Sequence, residues 1–131
     1  MYEFHGWFVL AESPSESDTG SLAPTIHDLK ELIGRAQWPA MTAGIKTFNG
    51  EEFLTIDGLA NRQRDEADLL DEVLRFLARR LPGSYGVLYD RDDELTVPPG
   101  PNAFRVRVLR RGTVTEETDH FLSPCQPLIE D

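Results

Sequence analysis

The 131-residue chain has the size of one domain, and folding should bury about 65–70 % of the surface its unfolded form exposes. With 40 % hydrophobic and 27 % charged residues, its composition is that of a globular protein and not of a disordered one. A formal charge of -10, from 13 basic against 23 acidic residues, repels phosphate backbones and anionic membranes; direct nucleic-acid or membrane binding is not expected, while a basic partner would be drawn in.

Tyr2 to Ala11 is rich in aromatic and branched residues on both alternating sets, with Tyr2, Phe4, Phe8 and Leu10 on one side and Trp7 and Val9 on the other. That pattern predicts a strand buried on both faces, with Trp7 packed inside. Glu12 to Ala23 collects Ser, Pro, Asp, Thr and Gly and reads as an exposed loop. Thr25 is placed to cap a helix whose apolar residues Leu29, Leu32, Ile33 and Ala36 recur at helical spacing, with Asp28 in its first turn and Pro39 stopping it after Trp38. Met41 to Phe48 and Glu52 to Leu59 flank Asn49-Gly50, a pair suited to the positive φ angles of a tight hairpin turn.

A second helix follows, with Asp65, Glu66 and Asp68 at its start, a stripe of Leu70, Val73, Leu74, Leu77 and Leu81, and Arg79 and Arg80 in its last turn. Pro82-Gly83 ends it. Ser84 to Tyr89 reads as a strand, Asp90 to Glu94 as an acidic loop, and Pro98-Pro99-Gly100-Pro101 as a break. Ala103 to Arg110 and Thr113 to Thr118 form a hairpin turning at Arg111-Gly112, and Phe121 to Asp131, with Pro124 and Pro127, reads as irregular chain. The resulting order predicts one α+β domain over residues 1–131: a two-layer sandwich of a mainly antiparallel sheet of about six strands with two helices on one face.

Chemistry is harder to find. No glycine-rich phosphate loop, nucleophile elbow, dinucleotide fingerprint or zinc pattern is present. His5, His27 and His120 do not share the i, i+4 spacing that aims two ligands at one metal. Cys125, the only cysteine, has no basic neighbour in sequence to hold a thiolate, and a lone thiol fits a reducing cytoplasm. Asp90, Asp92, Asp93 and Glu94 offer oxygen ligands to a hard cation but lack the glycine and distal glutamate of a calcium loop, so they read as a solvated charged loop and not as a metal site. Asp57, Asn61, Arg62, Arg64 and Asp65 form a polar group at a strand-to-helix junction, which suits a cap and ion-paired turn as well as a reactive site. No cofactor and no catalytic residue is expected. The first residues lack the basic segment and long apolar run of a secretory signal, and no stretch approaches the roughly 20 apolar residues of a membrane span, so a cytoplasmic protein is expected.

Several blocks carry a family resemblance: Tyr2-Glu3-Phe4-His5-Gly6-Trp7, Asn49 to Gly58, Pro82 to Tyr89, Phe104-Arg105-Val106, Leu109 to Gly112, Phe121 to Pro127, and Ile129-Glu130-Asp131. In this order they resemble the immunity protein 7 family of bacterial polymorphic toxin systems; Ser13 to Pro24 and Glu94 to Asn102 fall outside the pattern. The resemblance implies an α+β protein that neutralises a cognate kin or self toxin by tight stoichiometric binding. Such an inhibitor needs only a complementary surface of roughly 800 Å² per partner with a few buried anchors. Acidity points to a basic toxin, a nuclease domain being one candidate. The expected contacts are Asp90, Arg91, Asp92, Asp93 and Glu94, with Arg62, and with Glu116, Glu117 and Asp119 on the last hairpin. Within the family blocks, Gly58 and Gly83 are expected at turns and Tyr85 in the core. An acidic mimic of nucleic acid that blocks a nuclease or restriction enzyme is the alternative, and it requires carboxylates spaced like phosphates along one surface.

Overall fold

The computed structural model describes residues 1–13, 22–35, 41–61 and 65–122. Its elements are β1 (Tyr2–Leu10), α1 (Leu22–Gly34), β2 (Met41–Phe48), β3 (Glu51–Ala60), α2 (Asp65–Arg80), β4 (Tyr85–Asp92), β5 (Arg105–Arg110) and β6 (Thr113–Thr118). The strands form one open sheet in the order β2-β3-β1-β4-β5-β6, every neighbouring pair antiparallel. The predicted α+β sandwich and its element order are therefore what the chain adopts. β1 through β4 with the two helices follow the β-α-β-β-α-β arrangement of ferredoxin-like domains, and the β5–β6 hairpin extends that sheet on the β4 side.

Strand parity separates two faces. On one, Tyr2, Phe4 and Phe8 of β1 lie beside Leu54 and Ile56 of β3, Leu88 of β4 and Leu109 of β5, all essentially inaccessible to solvent. The helices close over this face: Ile26 and Leu29 of α1 and Leu70, Val73, Leu74 and Leu77 of α2 belong to the same core. An ion pair of 2.8 Å between Arg80 and Asp28 ties the two helices together. The strongest periodicities thus meet in one apolar layer, and burial of that layer supplies the main driving force for folding.

Boundaries shift where local chemistry was misread. α1 begins at Leu22, so Pro24 lies in the first turn, where its missing N–H is harmless, and Thr25 is a buried residue inside the helix instead of its cap. Asp28 accordingly falls beyond the first turn. The helix ends at Gly34; the expected stop at Trp38-Pro39, like Ala36, lies outside the described residues. Both hairpin turns match expectation. Asn49 and Gly50 have φ of 52° and 79°, Arg111 and Gly112 of 49° and 72°, the left-handed conformations that a two-residue turn demands. Gly83 sits in a turn as expected, whereas Gly58 is a strand residue of β3.

Candidate functional site

Among the described residues no helix covers the second face of the sheet. Its residues are Glu3, His5, Trp7 and Val9 of β1, flanked by Phe53, Thr55, Asp57 and Leu59 of β3 and by Tyr85, Val87, Tyr89 and Arg91 of β4. Val106 and Val108 of β5 and Glu117 of β6 continue it on one side, Lys46 and Phe48 of β2 on the other. Trp7 is 45 % exposed and Tyr85 51 %, and Phe48 and Leu59 are also largely open to solvent. This corrects the sequence reading of Trp7 and Tyr85 as core residues. The Trp7 and Tyr85 rings meet edge to face with centroids 6.4 Å apart, and Phe48 and Phe53 do the same at 5.5 Å. Such pairs fix ring positions and leave their outer surfaces available to a partner.

A polar knot interrupts this aromatic surface. The His5 ring meets Asp57 Oδ1 through Nδ1 at 2.8 Å and Glu3 Oε2 through Nε2 at 2.7 Å. Partial burial works against the imidazolium, but the two carboxylates outweigh it and lift the His5 pKa above its ordinary value. The Phe104 ring, itself buried, lies 6.3 Å from both His5 and Tyr89 and covers one side of the knot. Asp57 therefore belongs to the sheet face and not to the junction group predicted with Asn61 and Asp65; Arg62 and Arg64 of that group lie outside the described residues.

The acidic run reads differently in three dimensions. Asp90, Arg91 and Asp92 are the end of β4, and only Asp93 and Glu94 form a turn. Asp90 is 3 % exposed on the helix side, where Tyr2 Oη donates to Oδ2 at 2.6 Å, Arg105 Nε to Oδ1 at 2.8 Å and Arg107 Nη2 to Oδ2 at 3.5 Å. Burial, then the adjacent carboxylate and its bond, push the Tyr2 hydroxyl pKa well up, while the Asp90 bond, against desolvation, holds the Arg105 guanidinium firmly charged. Arg107 reaches on to Asp71 of α2, and Arg105 to Glu116 at 3.1 Å. Asp90 is thus a buried anchor of β4 to β5, not a loop carboxylate awaiting a partner. Arg91 is buried as well and pairs with Glu3 at 3.6 Å.

Asp92 Oδ1 accepts the Glu94 amide at 2.9 Å, and the Met1 ammonium donates to Asp93 Oδ1 at 2.5 Å, so both carboxylates shape the turn. Asp119 does the same for the Leu122 amide at 2.9 Å. Glu94 and Glu117 are exposed, Glu94 at the turn and Glu117 on the helix-free face. Arg62 and Cys125 lie outside the described residues.

A cavity of about 140 Å³ lies beside Tyr2, Asp90, Arg105 and Glu116, and its polar wall is the network just described. Among the described residues no group of three or more His, Cys, Asp or Glu is gathered as a metal site requires. No helix among them is long and apolar enough to cross a membrane.

The trait that sequence reading missed is the exposed aromatic surface. A signal for it exists: Trp7 shares its parity with Glu3 and His5, so that set of β1 was never uniformly apolar.

Among the described residues the domain has one face closed by helices and one face of exposed aromatic and charged side chains. The family model for Immunity protein 7 matches residues 1–131, and the chain belongs to that family, immunity proteins of polymorphic toxin systems. Comparison with curated proteins and with solved structures returns no match.

Proposed function

We propose that this chain neutralises one cognate toxin in the cytoplasm by stoichiometric binding, without a catalytic step, and that the toxin docks on the helix-free face of the sheet. The carrying observation is the bare surface around Trp7 and Tyr85 in a chain of the Immunity protein 7 family. Monomeric proteins seldom leave large aromatic residues clustered in solvent, and Trp and Tyr are the side chains that most often anchor interfaces. A face with a mixed aromatic and charged surface favours contact burial over mimicry of a phosphate chain.

Charge supports the approach. At -10 the molecule attracts a basic toxin over long range, a basic nuclease domain among the candidates, and Glu94 and Glu117 offer carboxylates that are not buried in the fold. Of the other residues nominated by sequence, Asp92, Asp93, Glu116 and Asp119 lie nearer the surface, whereas Asp90 and Arg91 act through the strand they hold in place.

The test is co-expression with the toxin domain encoded beside this chain, followed by size-exclusion chromatography. Survival with a one-to-one complex is expected, and the Trp7→Ala, Tyr85→Ala double variant is expected to remain folded yet lose the complex. Survival without any complex would overturn binding as the mechanism. An intact complex with the folded double variant would overturn the assignment of this face.

A further inference from the structure

On the helix side of the sheet, a cleft opens between α2 and the β5–β6 hairpin. We infer that this cleft, built around Arg75, Arg79 and Arg107, binds an oxyanion, a carboxylate or a phosphate group.

The cleft has a volume of about 400 Å³ and contains three arginines against a single carboxylate, Asp71. That is the reverse of the whole chain, which has 23 acidic residues for 13 basic. Arg75 and Arg79 stand one turn apart on α2, both exposed, and neither forms an ion pair with a described residue. Their i, i+4 spacing sets like charges side by side, an arrangement that weakens a helix unless an anion sits between them. Their neighbour Arg80 is, by contrast, committed to Asp28 and to the face of the Phe76 ring.

Arg107 supplies the independent observation. It is 7 % exposed, its Nη1 donates to Asp71 and its Nη2 to Asp90, but its buried Nε has no hydrogen-bond partner. Buried donors are rarely left unmade, and a guanidinium offers paired N–H groups that match the two oxygens of a carboxylate or phosphate. Leu74 and Val114 contribute apolar wall, which lowers the local dielectric and strengthens charge pairing. At the closed end, Gly112 comes so near α2 that a Cβ there would stand 3.1 Å from the Ala78 carbonyl, so the hairpin turn is held against the helix.

Titration of the ¹⁵N-labelled protein with inorganic phosphate and, separately, with succinate tests this without any toxin. The Nε–H signals of Arg75, Arg79 and Arg107 are expected to move together and saturate. In the Arg75→Gln, Arg79→Gln variant the same titration is expected to be at least tenfold weaker while the backbone amide spectrum stays that of a folded protein. A preference for succinate would mark the site for a carboxylate side chain of a partner, and one for phosphate would mark it for a free phosphorylated ligand. Absence of saturable shifts at the three arginines, or equal shifts with chloride at matched ionic strength, would overturn the inference.

Discussion

The two faces of the sheet use the same strands to opposite ends. On the helix side, β1, β3, β4 and β5 contribute side chains that vanish from solvent, and the charged groups buried there, Asp90 and Arg107, are admitted as partners of each other with Tyr2 and Arg105 beside them. On the other side, aromatic rings stand beside a histidine and its carboxylates, exposed and held in place by neighbours. Alternation along β1 thus builds a buried core from one set of its nine residues while the other set faces the second side of the sheet, where Glu3, His5 and Trp7 remain open or partly open to solvent.

The sharpest way to break that division is to cut into the closed face. Phe4→Ala removes a fully buried ring and is expected to lower unfolding free energy by about 3–5 kcal/mol, read by urea denaturation. Asp90→Ala should fall in the same range, about 3–5 kcal/mol, because Arg105 and Arg107 would remain partly or wholly buried without their common partner. A loss below about 1 kcal/mol for Asp90→Ala would mean that the network is solvated in the folded protein.

On the bare face the balance inverts. Trp7→Ala should cost only about 1–2 kcal/mol of stability, since nearly half of that side chain is already in water. The same change should weaken toxin binding by about 30-fold or more, the loss of a central anchor. Equal effects of Phe4→Ala and Trp7→Ala on stability would erase the distinction between the faces.

Charge changes should be gentler still. Glu94→Gln with Glu117→Gln is expected to slow toxin association a few-fold at low salt, leave dissociation nearly unchanged and leave unfolding unaffected. Stopped-flow association at two salt concentrations reads this directly.

The smallest effect concerns His5. Its pKa is raised in the folded protein, so the stabilisation it gives is fully present below the unfolded value near 6.5 and disappears as pH rises through the higher folded value. For a side chain about half in solvent the contribution should stay below about 1 kcal/mol. His5→Gln should therefore lie below the unsubstituted protein in stability at pH 6 and approach it at pH 9. A gap that widens with pH would reverse the assignment.

Which parts of this could be read in the sequence follows from the range of the forces involved. Turns at Asn49-Gly50 and Arg111-Gly112 and the charge pattern and apolar stripe of α2 are set by neighbours within a few residues, and these stand where the sequence puts them. The family blocks pointed to the Immunity protein 7 family, which the whole-chain match bears out. What escaped is non-local. Asp90 to Glu94 reads as an acidic loop because nothing near it in sequence reveals that Tyr2, 88 positions away, and Arg105 will enclose Asp90. Trp7 reads as core because it is aromatic and stands in a strand rich in apolar residues, although it shares its parity with Glu3 and His5. Whether a face receives a helix is decided by where α1 and α2 pack, and no local pattern in β1 records that choice.

The central position of β1 has a consequence for the timing of synthesis. It is the first strand in the chain, yet its partners are β3 and β4, and the last of them ends at Asp92. At roughly 5–20 residues per second the ribosome takes on the order of ten seconds to deliver that strand. Until β3 is complete at Ala60, Tyr2, Phe4 and Phe8 have no strand to join, and the other edge of β1 stays open until β4 arrives. The sheet therefore closes on both sides of β1 only after most of the chain has left the ribosome, and a surface that needs β4 beside β1, such as the Trp7–Tyr85 pair, is among the last to be assembled.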